Sequence, residues 1–240
     1  MRVESEPGFI LHTIPYRETS LLVDIFTLNY GRLRCVAKGF RKPNKKGIAK
    51  TLFPYTEYHF QWQGRGELKT LIQADPIQAP VFLAQESLFV GLYTNELLYK
   101  LLHQNDPHQP LYHFYHQFIS HLSVTGLDQA ELRRFEMLLL EELGYGLVLD
   151  AEAETGQAVS PEYLYYYIPD QGLKLLQDQT ADSSQALVGA DIMALRKGKF
   201  EQPSVIRTAK QLTRQVIDFY LDGKELNSRE LYRQHLLNNN

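Results

Sequence analysis

Lysine and arginine spacing carries the first chemical signal in this chain. The stretch GRLRCVAKGFRKPNKKGIAK, Gly31–Lys50, holds Arg32, Arg34, Lys38, Arg41, Lys42, Lys45, Lys46 and Lys50 and no Asp or Glu, in a protein whose formal net charge is −3. Loops that serve only solubility mix signs, because like charges repel. Unopposed cations in one strip suit a polyanion, since phosphate binding draws much of its affinity from released counterions. Phe40 lies inside the run, where a ring can stack on a base as in single-strand binders. These nine residues are the expected nucleic-acid contacts. Tyr55, Tyr58 and Trp62 lie nearby, and Tyr58 and Trp62 read as core.

Histidine is the second candidate. His103, His108, His113, His116 and His121 cluster in sequence, and His113 and His116 stand one helical turn apart, a spacing that can ligate zinc. The same residues, with Gln117 and Ser120, also supply the polar face of a helix whose other face is Phe114, Tyr115, Phe118, Ile119 and Leu122. No cysteine or carboxylate completes a ligand set beside them, so the solvated-face reading is preferred, with no metal and no cofactor expected. The single cysteine, Cys35, rules out an internal disulfide and falls within a strand pattern without a histidine partner. The chain contains no phosphate-binding glycine loop and no Gly-x-Ser-x-Gly elbow. Nothing in these patterns points to an enzyme.

The elements that would position the basic run read as β. Strand patterns cover Gly8–Ile14, Leu21–Thr27, Gly31–Gly39, Thr56–Gln63 and Glu67–Ala74, separated by turn signals such as Asn29-Tyr30-Gly31 and Gly64-Arg65-Gly66. Five short strands in this length suggest a five-stranded oligonucleotide-binding barrel, the OB-fold. Alternation places Leu33, Cys35 and Ala37 inside the third strand and Arg32, Arg34, Val36 and Lys38 outside, with the cations in an outward row. From about residue 80 the period becomes helical, over Ala84–Leu102, Leu111–Leu122, Asp128–Leu143, Pro203–Leu221 and Asn227–Leu237. Between 146 and 182 an irregular insertion is expected to carry a hairpin, Tyr163–Ile168 with Leu173–Leu176. The expected organisation is therefore an OB-fold domain over 1–79 and an α-helical domain over 80–240. Residues 1–80 hold 12 Lys and Arg against 7 Asp and Glu, whereas residues 81–240 hold 13 against 21. That asymmetry suggests one part facing a polyanion and one part with other partners. The absence of long apolar runs and of a secretion-signal pattern suggests a cytoplasmic protein.

Several blocks, in order, resemble one family. ETSLLVDIFTLNYGRLRCVAKGFRK, GRGELKTLIQAD, GLYTNELLYKLL, LRRFEMLLLEELGYGLVLD and LNSRELYRQHL together are similar to the bacterial recombination mediators of the RecO family. The resemblance implies an N-terminal OB-fold, a helical domain and no catalytic site. It implies binding to single- and double-stranded DNA, and annealing of complementary strands coated by single-stranded-DNA-binding protein. It further implies work with RecR in loading the recombinase at the nucleoid. Many family members have a four-cysteine zinc site where this chain reads LDAEAETGQAVSPEYLYYYI, without cysteine. A zinc-free insertion held by Tyr163, Tyr165, Tyr167 and Ile168 is the expectation here. The helical domain of the family receives the acidic, apolar-ended tail of the single-strand-binding protein. In this chain the expected receiver is the helix Asp128–Leu143, through Arg133 or Arg134 on the tail's carboxylates and Met137 and Leu140 beneath its apolar end. Central burial of that helix is the competing reading. The competing function is an OB-fold RNA-binding protein with a helical protein-docking domain.

Overall fold

The computed structural model describes residues 2–42, 51–176 and 185–238. Five strands, β1 (Arg2–Tyr16), β2 (Ser20–Thr27), β3 (Gly31–Ala37), β4 (Glu57–Gln63) and β5 (Leu68–Pro76), close into a barrel in the order β1-β2-β3-β5-β4. Neighbouring strands are antiparallel except β3 and β5, whose parallel pairing sets Arg34 opposite Leu68 and Ala37 opposite Leu71. The barrel and the helices after it match the fold class read from the sequence. The inward face of β3 is also as expected, with Leu33, Cys35 and Ala37 in a core shared with Val23, Ile25, Phe60 and Trp62.

Strand β1 is much longer than its alternation suggested, because it pairs along its first half with β4 and along its second with β2. A bulge between Ile10 and His12 bends it around the closure. Such bends are a usual function of a bulge at a barrel rim. Here the carbonyls of Ile10 and Leu11 accept from Asn95 Nδ2, at 3.3 and 3.4 Å, and Asn95 Oδ1 accepts the Tyr115 hydroxyl proton at 2.5 Å. Gly31 opens β3 at φ +65°, and a Cβ there would stand 1.9 Å from the Asp106 carbonyl oxygen. Only glycine admits both that conformation and that approach.

The helices are α1 (Gln85–Leu101), α2 (Gln109–Val124), α3 (Gln129–Glu142), α4 (Gly189–Arg196), α5 (Pro203–Tyr220) and α6 (Asn227–Asn238). Asp128 caps α3 by accepting from Ala130 N at 2.8 Å. Helix α4 had no counterpart in the sequence reading. The insertion forms the expected hairpin, β6 (Leu164–Ile168) with β7 (Gly172–Leu175), extended by β8 (Leu187–Val188) in the order β7-β6-β8. Tyr165 and Tyr167 are buried in it, but Tyr163, expected to help hold it, is mostly exposed. The correction follows from position: Tyr163 precedes the strand and bonds through its backbone rather than its ring. The Glu152 carboxylate adds a polar support, accepting from Thr155 N, Thr155 Oγ1 and Glu154 N.

Two compact units result, Met1–Leu127 with Leu226–Asn240, and Asp128–Glu225. In the first, the outer barrel face is apolar where α2 covers it. Phe9 packs 5.5 and 5.1 Å from the rings of Tyr112 and Tyr115, and Phe26 packs 5.5 Å from Tyr112. In the second, α3 and α4 pack on α5.

The C-terminal helix is tied to the barrel unit by a carboxylate borrowed from α1. Glu96 accepts from Asn227 N, Ser228 N and Ser228 Oγ at 3.0, 2.9 and 2.7 Å, satisfying first-turn donors of α6. Burial alone would raise the Glu96 carboxyl, but these bonds from Ser228, with Lys100 and Asn227, hold it below its ordinary 4.5. A lowered value in the folded state means the support is complete above that ordinary value and disappears as pH falls through the folded one. Protection of the α6 amides, taken relative to their intrinsic exchange rates, should therefore fall on acidification below pH 4.5. Glu96→Ala should lower that protection about five-fold already at neutral pH, the equivalent of a lost helix cap.

Candidate nucleic-acid interface

The basic run was expected to place Arg32 and Arg34 in an outward row with Lys38. The structure separates them. Asp24 on β2 is the Cα partner of Arg34 on β3, and its side chain is 0% exposed. Arg34 Nε donates to both Asp24 oxygens at 3.0 and 3.2 Å, Arg34 Nη2 to Asp24 Oδ2 at 3.1 Å, and Arg32 Nη1 to Asp24 Oδ1 at 3.2 Å. Arg32 Nε also donates to the Leu102 carbonyl at the end of α1, and Arg34 Nη2 to the Tyr99 hydroxyl. Both guanidinium carbons stand over the Tyr99 ring, at 5.5 and 5.9 Å. Their side chains retain 13% and 31% exposure. Burial pulls the Arg32 pKa down, whereas the hydrogen bonds to Asp24 push that of Arg34 up. The correction has a simple cause: a buried carboxylate needs cations, and the nearest strand supplies two.

Beyond β3 the chain changes character. Lys38, Arg41 and Lys42 are exposed. Phe40, expected to be a stacking ring, is 5% exposed and belongs to the barrel core. The loop between two exposed cations thus anchors itself by turning its aromatic residue inward. Lys45, Lys46 and Lys50 lie outside the described residues.

The structure adds one residue that sequence reasoning missed. Arg41 N donates to the Thr19 carbonyl at 2.9 Å and Arg41 Nη1 to the Arg17 carbonyl at 3.2 Å. The β1–β2 turn therefore lies against the exit of β3 and brings exposed Arg17 to the same rim. Arg17 has φ +52° and its guanidinium stands 5.1 Å from the Tyr16 ring. The signal was available in the hairpin register: Leu21 opposite Ala37 puts that turn beside Lys38. Arg17, Lys38, Arg41 and Lys42 form one cationic rim, moderated by exposed Glu18 in the turn. Point charges in this arrangement meet phosphates and carry no base information.

Cys35 is fully buried and burial pushes its thiol up to about 12, far from a reactive thiolate. His113, His121 and His103 are exposed, while His116 Nε2 lies 3.7 Å from the Glu57 carboxylate. His108 is buried, with Nε2 3.6 Å from Asp106. Among the described residues there is no group of three or more His, Cys, Asp or Glu placed to hold a metal ion.

The expected peptide receiver on α3 is corrected as well. Arg133, 7% exposed, is ion-paired at 2.8 Å with Glu136, which accepts the Thr213 hydroxyl proton at 2.5 Å. Leu140 is fully buried and Met137 half-buried, so the stripe Arg133–Met137–Leu140 faces into its own unit. Arg134 is exposed and stands 4.7 Å over the Phe200 ring. The expectation rested on Arg133, Met137 and Leu140 sharing one stripe at i, i+4 and i+7, a cation above an apolar groove. The buried acid one turn later reverses that.

Comparison with known proteins gives consistent matches along the chain. The model described as Recombination protein O N terminal matches residues 1–80, and the one described as Recombination protein O C terminal matches residues 85–230. A protein named DNA repair protein RecO from Methylococcus capsulatus is 40% identical over 232 residues, covering 97% of this chain and 94% of that one. Proteins of the same name are 35% identical in Nitrosospira multiformis, covering 97% and 96%, and 37% identical in Coxiella burnetii, covering 96% and 98%.

The two buried ion pairs make a measurable distinction from the rim. Arg133→Ala leaves the buried Glu136 carboxylate without its cation and should cost about 3–5 kcal/mol, whereas Asp24→Ala leaves two arginines that retain solvent contact and should cost less. Arg17→Ala and Lys42→Ala, at exposed positions, should stay within about 0.5 kcal/mol. Urea unfolding midpoints of the four variants check both statements.

Proposed function

This chain belongs to the RecO family of DNA repair and recombination proteins, and we propose that it acts there as a mediator without a catalytic step. On this reading it binds single- and double-stranded DNA and pairs complementary strands coated by single-stranded-DNA-binding protein. It also helps RecR place the recombinase on the paired or gapped DNA. The observation that carries the reading is the convergence of Arg17, Lys38, Arg41 and Lys42 at one rim of a closed barrel. Two separate chain segments deliver these cations, so the rim is a surface of the fold rather than a local run of sequence. Lys45, Lys46 and Lys50 follow directly in the chain and are part of the proposed contact set. Arg32 and Arg34 contribute by holding the strand from which the rim emerges.

The proposed chemistry is electrostatic. Each cation that meets a phosphate displaces a condensed counterion, so affinity is sequence-blind and salt-steep. Pairing requires that bases remain accessible, and contact through backbone phosphates leaves their edges free. Docking of the single-strand-binding protein's tail belongs to the same reading; of the α3 residues expected to receive it, Arg134 alone is exposed.

Replacing Arg17, Lys38, Arg41 and Lys42 together with Ala should weaken binding to an unstructured DNA oligonucleotide. The log–log salt slope should flatten by about 0.7 for each phosphate that is no longer neutralised. The folded state should be unchanged by circular dichroism, because the side chains are exposed. Fluorescence anisotropy at several salt concentrations reads the slope. Wild-type affinity and slope in the folded variant would remove the rim from the interface. Tighter binding of a stem-containing RNA than of DNA at matched salt would replace DNA as the ligand.

A further inference from the structure

A second cationic surface lies in the other compact unit, where the charge balance of residues 81–240 gave no hint of one. Between Arg196 and Asp218 the chain carries Arg196, Lys197, Lys199, Arg207, Lys210 and Arg214, against the two acids Glu201 and Asp218. All six cations are exposed. Their arrangement follows from α4 and α5. Helix α4 ends at Arg196, and Lys197, Gly198 (φ +68°) and Lys199 form the turn that leads to α5. On α5, Val205, Thr208, Ala209, Leu212, Thr213, Val216 and Ile217 are buried. At about 100° per residue, Arg207, Lys210 and Arg214 fall within one narrow sector diametrically opposite that buried stripe. They are one turn apart from each other and project from a convex helix surface.

Two of the six cations are paired internally and four are not. Arg196 pairs with Asp150, and Arg214 Nε lies 3.7 Å from Asp218. The side chains of Lys197, Lys199, Arg207 and Lys210 have no hydrogen-bond or ion-pair partner among the described residues. Asp191, the acid within α4, is turned toward Ser204 and Thr208 of α5 instead. An unpaired row of this kind differs from the Asp24 cluster, where strand cations are fixed by a carboxylate.

We propose that this face, centred on Lys197, Lys199, Arg207 and Lys210, is a second polynucleotide site that holds the backbone of a second strand. The proposal rests on the DNA-mediator reading above and deepens it: joining two strands requires a protein to hold two polyanions at once. One observation favours a phosphate backbone over an acidic peptide. No large apolar side chain is exposed between Gly189 and Asp218 among the described residues, so a peptide would find charge there without an anchor.

The test uses the full chain with Lys197→Ala, Lys199→Ala, Arg207→Ala and Lys210→Ala combined. Two non-complementary oligonucleotides, one with a donor and one with an acceptor dye, are mixed with limiting protein, and energy transfer reports capture of both. Anisotropy of one labelled oligonucleotide reports the first binding event. The wild type should bring both strands together. The variant should bind one strand with affinity close to wild type, yet lose roughly ten-fold or more in second-strand capture. Equal capture by a folded variant overturns the second site and leaves the barrel reading intact. So does a wild type that binds one strand but never two. A variant that captures both strands normally but no longer binds an acidic peptide overturns it in favour of a peptide surface. If the wild type binds no oligonucleotide at all, the DNA reading itself falls, and this inference with it.

Discussion

The placement of one carboxylate, that of Asp24, constrains much of the barrel unit. Moving an ion of this size away from water costs several kcal/mol even after relaxation, so it must be met by opposite charge and hydrogen bonds. Arg32 and Arg34 meet it from the neighbouring strand, and in doing so reach beyond it to the Leu102 carbonyl and the Tyr99 hydroxyl. Three elements, β2, β3 and the last turn of α1, are thereby held by one cluster. Arg34 commits three of its donor contacts to Asp24 alone. The strand cations are thus scaffold, and the free cations are displaced to the rim beyond Ala37. Such a cluster specifies geometry more than it adds stability, since an apolar replacement of the whole group could pack as well.

The outer surface of the barrel depends on the same arrangement. A small barrel with one wet face would alternate cleanly, but Phe9 and Ile10, consecutive in β1, are both buried. Ile10 fills the interior and Phe9 meets Tyr112 and Tyr115 outside. Tyr112 also donates to Glu57 at 2.6 Å, so α2 is bonded to β4 as well as packed on β1. The apolar outer face therefore requires its helices, and the compact unit that contains the barrel extends through α2 and takes in α6.

What could be read from the sequence follows from the range of the interactions involved. Strands β2 to β5, the helices with strong periodicity and the inward residues of β3 are set by local alternation and turns, and they were legible. The hairpin register through Asn29-Tyr30-Gly31 was legible too, and it already places Asp24 opposite Arg34 and the β1–β2 turn beside Lys38. Counting charges along the chain, rather than across the ladder, hid both consequences. Phe40 and Arg133 failed for a different reason. Each has the residue type of a surface contact, and only tertiary packing decides that the ring turns into the core or that a buried Glu136 claims the guanidinium. Helix α4 is too short for periodicity to reveal. The cations around it were visible individually but diluted by the acids elsewhere in their half of the chain.

An acidic chain with confined basic faces has a physical consequence for the mediator reading. At physiological ionic strength the Debye length is about 8 Å, so the negative remainder of the molecule neither reinforces nor cancels contacts made at a basic rim. It does oppose non-specific wrapping, because a phosphate backbone that leaves the rim meets repulsion rather than further cations. On that reading, binding is limited to a few phosphates at a time, with a salt slope to match that small number and ready release. A protein that holds strands while their bases pair must let go of the duplex it has made. Few contacts, each made by a flexible exposed side chain, favour that exchange, whereas the arginines locked to Asp24 keep the supporting strand from moving with the ligand.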